Sequence, residues 1–369
     1  MTRAGRVGLL ILWVAAFAAG TTLWIISAAA EPARAWRAVL VNFLFFSPIA
    51  AGMVAWSAVL LTSKARWLDA IERTALGGVA FALPSLALLA GLWISSPAWA
   101  PWAQSGFAWR PKLGAWMDDS FLFGRDLGVL IVLWALAAWY VHRRRRGEGR
   151  VAGPLLVVTY CGAFTLIAVD LVMAMTEHWY SSLLGAYFFC SGMYGAVVAL
   201  AFMTALRPGA DRDVLHDLGR LVLAFSLLVT YMMYCQLLPI WYENLPNEAS
   251  FVVRRYNYHP WGWVSFGLLF SIYLGPLVYL ITAKAKRTPA ILAPVTFVLL
   301  LGLWVERWWL IAPNFAKGPS LGLPEISSAI AVLGVFGLTA AWPRRRPDRA
   351  EGTEGAEAKS GSDGGAARR

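Results

Sequence analysis

The sequence predicts an all-α fold: a polytopic membrane protein with about ten transmembrane helices, arranged as two up-and-down four-helix bundles plus flanking helices. Three observations predict it. The chain of 369 residues is 59% hydrophobic and 14% charged, with a mean hydropathy of +0.58, which leaves too little polar surface to cover a water-soluble fold. Ten apolar runs reach the roughly 20 residues that a helix needs to cross the hydrocarbon of a bilayer. Basic residues are segregated: with the runs threaded in order, 23 of the 32 Lys and Arg fall on one side, the asymmetry of cytoplasmic loops.

The first run, at about 7–29, ends in Ala28-Ala29-Ala30 and so resembles a leader with its cleavage site, but it is longer than a leader's apolar stretch and reads as a helix. Runs at about 38–62, 74–95, 121–141 and 153–177 make the first bundle, about 38–177. Runs at about 182–206, 218–241, 261–283 and 289–311 make the second, about 182–311. The run at about 322–342 and the first one flank them, so the membrane domain covers 1–347. Residues 348–369, Glu-, Gly-, Ser- and Ala-rich without apolar periodicity, read as a disordered cytoplasmic tail. Both termini and the run Arg143 to Arg146 fall on the cytoplasmic side. The longest external loop, Ser96 to Phe121, carries Trp99, Trp102, Trp109 and Trp116, which suit a plug, a docking surface or simple interfacial anchoring.

The net charge of +11 is accounted for by this topology, so nucleic-acid binding is not expected. Cys161, Cys190 and Cys235 lie in apolar runs on different helices and form no Cys-x-x-Cys, so neither a haem c attachment nor a zinc or iron-sulfur site is legible. Of the four histidines, His142 and His216 sit in charged loops and His259 precedes a helix, which does not give the facing pair that a membrane haem b requires. No directly bound cofactor is expected.

Candidate functional residues are the ionisable groups inside apolar runs, where a charge costs at least a few kcal/mol and marks an ion or proton path or a structural pair. Asp170 stands first, within the fifth run, and Glu177 returns to its face two turns later, with His178 beside it. In the seventh run, Gln236 and Glu243 share a face across Pro239, where a kink is expected. In the ninth, Glu306 and Arg307 point about 100° apart, so each is expected to seek a partner on another helix, with Arg307 and Asp170 as the attractive pair. With Asp126, these residues all fall in outer halves, which describes an outer half-channel reaching Asp170 by way of Glu177, Glu243 and the helix-seven kink. In the loop that follows the seventh run, mutual salt bridges are expected among Glu248, Arg254, Arg255 and His259.

The pattern Asp170-x-x-Met173, His178-Trp179-Tyr180-Ser181, Gly185, Tyr187, Gln236, Ile240-Trp241-Tyr242, Asn244-Leu245-Pro246 and Glu248 resembles the ActF membrane subunit of bacterial alternative complex III, over about residues 153–260. ActF is similar in turn to the NrfD and polysulfide reductase membrane subunits. The resemblance implies a core of two four-helix bundles in a bacterial cytoplasmic (inner) membrane and no metal of its own. It also implies service in a complex that oxidises menaquinol and passes electrons toward cytochrome c or an oxidase. The implied partners are a sister NrfD-like membrane subunit, which is the better quinol site, an external iron-sulfur subunit and haem c subunits. The fourth run holds no His except His142 at its cytoplasmic end, so the resemblance favours structural support and proton conduction over quinol oxidation. Quinol binding by this chain itself and a stand-alone secondary transporter remain the rival readings.

Overall fold

A computed structural model describes residues 3–103, 114–176, 179–256 and 259–341. Ten helices in it are long and apolar enough to cross a membrane: α1 (Val7–Ala30), α2 (Pro32–Thr62), α3 (Leu68–Ile94), α4 (Asp119–Arg145), α5 (Ala152–Met175), α6 (Leu184–Ala205), α7 (Arg212–Glu243), α8 (Trp261–Tyr279), α9 (Pro289–Asn314) and α10 (Leu323–Ala340). Among the described residues there is no strand. The protein is an all-α polytopic membrane protein. The segment after residue 341 lies outside the described residues, as does Trp109.

Several boundaries differ from those read off hydropathy, each for a local reason. Helix α2 starts at Pro32, well before the apolar run, because proline suits a first helical turn whose N–H would have no partner anyway. Its charged opening is tolerated because Arg34 is paired with Glu325 at 2.7 Å. Helix α3 opens with an amphipathic turn, Leu68–Ala75, which buries Leu68, Ile71 and Ala75. Helix α7 begins at Arg212, where the Asp211 side chain accepts from the Asp213 amide at 2.8 Å. It continues through Pro239 to Glu243 and stops at Asn244, which adopts the left-handed conformation that asparagine tolerates.

Two helices are less regular than expected. The α-helical part of α5 ends at Leu171 and tightens into a 3-10 turn over Met173–Met175, so Asp170 lies at a helix end. Helix α8 passes through a π-helical turn at Leu269–Tyr273 and resumes at Gly275–Tyr279.

Helix α2 is the axis of the molecule. Its side chains are buried without interruption from Ala38 to Ala58, the signature of a helix apolar on every face. It touches α3, α5, α6, α9 and α10. Helices α2 to α5 contact one another in a ring, α6 to α9 form a second, and the rings meet where α2 and α5 lie against α6. Small residues permit this closeness: Gly192 of α6 sits on Pro48 of α2 and on the Tyr160 hydroxyl, where any side chain would collide. Some buried polar groups are satisfied between helices, with Tyr160 donating to the Pro48 carbonyl at 3.1 Å and the Trp56 indole to the Met193 carbonyl at 2.9 Å. Helices α1 and α10 pack antiparallel on the outside, with Gly20 against Ala331 and Gly334 against Phe17. The chain therefore starts α1 and ends α10 at one end of the bundle, here the proximal end. Arg143 to Arg145 close α4 at that same end.

Candidate functional site

The polar residues of the distal half form two clusters, one in each ring. The first is built where α4 and α5 pack side by side. Helix α4 is started by Asp118, whose side chain accepts from the Phe121 amide at 3.0 Å, and this start sets Arg125 and Asp126 in succession on the second turn. Across from them, Asp170 closes the α-helical part of α5. Arg125 donates to one oxygen of Asp170 twice, from Nε at 2.9 Å and from Nη2 at 2.5 Å. The Asp126 carboxyl lies against that of Asp170. Both aspartates are buried, at 0% and 1% exposure. Trp116 covers the cluster, its ring 3.8 Å from the Arg125 guanidinium, and Phe121 adds a second ring at 5.0 Å.

The charge count of this cluster does not balance. Two carboxyls face one guanidinium, and both oxygens of Asp126, Oδ1 of Asp170 and Nη1 of Arg125 have no hydrogen-bond partner among the described residues. Buried carboxyls that share a site cannot both ionise cheaply, and unsatisfied buried acceptors are rare enough to require an explanation.

The second cluster lies between α6, α8 and α9 and does balance. Glu306, at 0% exposure, accepts from the Tyr187 hydroxyl and, at 3.4 Å, from Ser191. Tyr187 is also bonded to Tyr273 at 2.6 Å. Arg307 donates to the Ser191 hydroxyl at 2.8 Å, pairs with Glu306 at 3.5 Å and lies over the Phe188 ring at 4.3 Å. The π turn of α8 serves this cluster: it carries Tyr273 inward and turns the Ile272 carbonyl toward the Tyr194 hydroxyl at 3.0 Å. One acid, one base and a set of hydroxyls make a neutral network, in which Nη1 of Arg307 has no hydrogen-bond partner among the described residues but lies 3.5 Å from Glu306.

These positions correct two expectations. Arg307 does not pair with Asp170, because Arg125 on the adjacent α4 occupies that carboxylate while α9 packs on α6 and α2. Glu306 and Arg307 do each find partners on another helix, Tyr187 and Ser191 of α6, but they also pair with each other at 3.5 Å, because their side chains are long enough to converge on Ser191. The route proposed through helix seven is also not assembled at Asp170. Gln236 is buried with Oε1 lacking a partner, Glu243 is exposed at the end of α7, and α7 packs on α6 and α8 in the other ring. Glu177 and His178 lie outside the described residues.

Arg125 is the functional neighbour that sequence reading missed. A cation within the apolar run after Phe121, beside Asp126 and about as close to the distal end of its run as Asp170 is to that of its own, was the available signal. Arg255 was misjudged as a loop salt-bridge partner. Fully buried, it donates to the carbonyls of Leu310 at 2.7 Å, Phe251 at 3.1 Å and Trp309 at 3.2 Å, and so caps the closing turns of α9. Burial, and then the adjacent Arg254, push its pKa down from the ordinary arginine value. In the Trp-rich loop, Trp99 and Trp102 turn inward, their indoles donating to the Leu92 carbonyl at 3.0 Å and to Asp119 at 3.3 Å. That is plug-like packing, and Trp116 alone of the described three is exposed. Among the described residues, no group of three or more His, Cys, Asp and Glu is placed to hold a metal.

Fold and site together define a multi-pass α-helical membrane protein with an acid-rich and a charge-balanced cluster in its distal half. A scan against known family models and a search of curated proteins both found no match.

Proposed function

We propose that the chain is the membrane subunit of a menaquinol-oxidising, electron-transferring respiratory complex of the alternative complex III kind, in which it carries no redox centre, supports the assembly and holds a proton half-channel on the outer side. The observation that carries the proton-handling reading is the imbalance at Asp126, Asp170 and Arg125: two buried carboxyls, one guanidinium and unsatisfied acceptors on both acids. The sequence pattern from Asp170 to Glu248 supports the assignment to that kind of complex.

Electroneutrality at such a depth asks for one proton on the carboxyl pair, and a second carboxyl gives that proton somewhere to move. Arg125 orients Asp170 through two hydrogen bonds to one oxygen, which leaves the other oxygen facing the pair. Trp116 lies over the guanidinium and screens the cluster from the distal surface. Quinol oxidation is assigned to the sister membrane subunit, and electrons pass through the iron-sulfur and haem c subunits.

Asp170→Asn in the assembled complex is expected to slow quinol-driven turnover or to lower the number of protons released per electron, with assembly intact. Wild-type rate and proton yield in that variant would reduce Asp170 to a structural role. The complex itself is tested by copurification: the chain should comigrate with a haem-containing assembly from solubilised native membranes, and its recovery from those membranes without such partners would count against it. A second reading, a free-standing secondary transporter, is favoured by the interruptions at Leu269–Tyr273 and at Met173–Met175, since transporters build sites at broken helices. The same copurification separates the two.

A further inference from the structure

We infer that a cavity at the distal end, between the first turns of α2, the closing turns of α9 and the segment leading into α10, binds the headgroup of one anionic phospholipid. The inference is independent of the proton-handling reading. The cavity has a volume of about 170 Å³, and its polar wall is formed by Arg34, Arg37, Ser320 and Glu325. Volume is ample for a phosphate group, since a liquid water occupies about 30 Å³.

The carboxylates at that wall are both taken by Arg34. Arg34 is fully engaged: it donates to both oxygens of Glu325 at 2.7 and 3.1 Å, to Glu31 at 3.2 Å and to the Ser320 carbonyl at 2.8 Å. Glu325 also accepts from the Gly322 amide at 2.8 Å, so it is held in place and saturated by its own neighbours. Arg37, one turn along α2, has no carboxylate partner among the described residues. Its Nε donates to the Trp99 carbonyl at 3.3 Å and its guanidinium lies flat on the Phe315 ring at 3.5 Å, while among the described residues neither Nη group has an acceptor.

A guanidinium fixed by a carbonyl and an aromatic plate, with its terminal fork open, matches the oxygens of a phosphate in two parallel hydrogen bonds. The rest of the cavity is apolar, with Ala38, Val41 and Trp308 below the arginine. A ligand that satisfies both parts carries an anion joined to hydrocarbon. The cavity also lies where α2 and α10 begin, the depth at which a bilayer presents its headgroups. An anionic lipid gives Arg37 the partner it lacks, whereas the cation of a zwitterionic headgroup would find no free carboxylate, since Glu31 and Glu325 are both taken by Arg34.

The test is native mass spectrometry of the delipidated full-length chain in detergent, titrated with phosphatidylglycerol, phosphatidylcholine or inorganic phosphate. One phosphatidylglycerol should be retained most tightly, phosphatidylcholine more weakly, and inorganic phosphate should not displace the lipid at equal concentration. Arg37→Gln should weaken phosphatidylglycerol retention by roughly fivefold to tenfold, the value of a charge-assisted pair at a partly exposed site. Lys64→Gln, at the proximal end, should leave it unchanged. Undiminished retention in Arg37→Gln would overturn the inference. So would displacement by inorganic phosphate, which would mark a site for soluble anions. Should Arg37→Gln fail to fold, the wild-type series still decides: equal retention of the two lipids overturns the inference.

Discussion

Arg307→Met is expected to destabilise the protein by roughly 3–5 kcal/mol, the usual consequence of stripping the partner from a buried charge. Glu306 is wholly buried, and without Arg307 it would keep only the hydroxyls of Tyr187 and Ser191 in a region that no longer compensates its charge. The double variant Glu306→Gln, Arg307→Met should recover most of the loss, because a well-packed neutral pair of similar volume replaces a buried ion pair at little net cost. Tyr187→Phe should be milder, about 2–3 kcal/mol, since it removes the hydroxyl's two hydrogen bonds, to Glu306 and Tyr273, and leaves the ion pair. Unfolding of the purified protein in detergent, followed by helical circular dichroism, reads all three variants. If Arg307→Met unfolds like wild type, the cluster is not the internal clamp of the second ring.

The second large effect falls at Arg125, and it has a different pattern. Arg125→Met removes the one cation beside two carboxyls and should cost roughly 3–5 kcal/mol, with both Asp126 and Asp170 left uncompensated. Asp170→Asn should be far milder, because Asp126 lies against it and offers the guanidinium a replacement carboxylate. Asp170→Leu should be worse than Asn, since it also loses the acceptor that holds Arg125 at 2.5 Å. Stability assays on these variants separate a redundant acid pair from an ordinary salt bridge: in an ordinary salt bridge, Asp170→Asn would be as damaging as Arg125→Met.

The asymmetry between the clusters explains which parts of the molecule were legible in sequence. Ten spans could be read because hydrocarbon imposes length and apolarity on each helix by itself, and Asp126, Asp170, Glu306 and Arg307 stood out because charges are costly there. Their partners could not be read, since partnership depends on which helices touch. Asp170 meets Arg125 because α5 packs on α4, and no residue spacing encodes that adjacency. The same limit hid Arg255, whose acceptors are carbonyls of a helix more than 50 residues away in the chain. Helix irregularity was illegible for another reason. Pro239 announced a kink in a helix that continues through it, whereas the π turn at Leu269–Tyr273 contains no proline and is stabilised by what Tyr273 and Ile272 reach across the interface.

The central claim is that Asp126 and Asp170 share a proton that can leave. Infrared difference spectroscopy of the purified protein tests it most directly, by subtracting the spectrum of Asp126→Asn from that of the wild type and repeating the subtraction with Asp170→Asn, in water and in heavy water. The account predicts one carbonyl band of a protonated carboxylic acid per chain at neutral pH, lost or shifted in both variants and displaced by deuterium on a timescale of minutes. A wild-type spectrum with no such band, or one with a band unchanged in both variants, would contradict it.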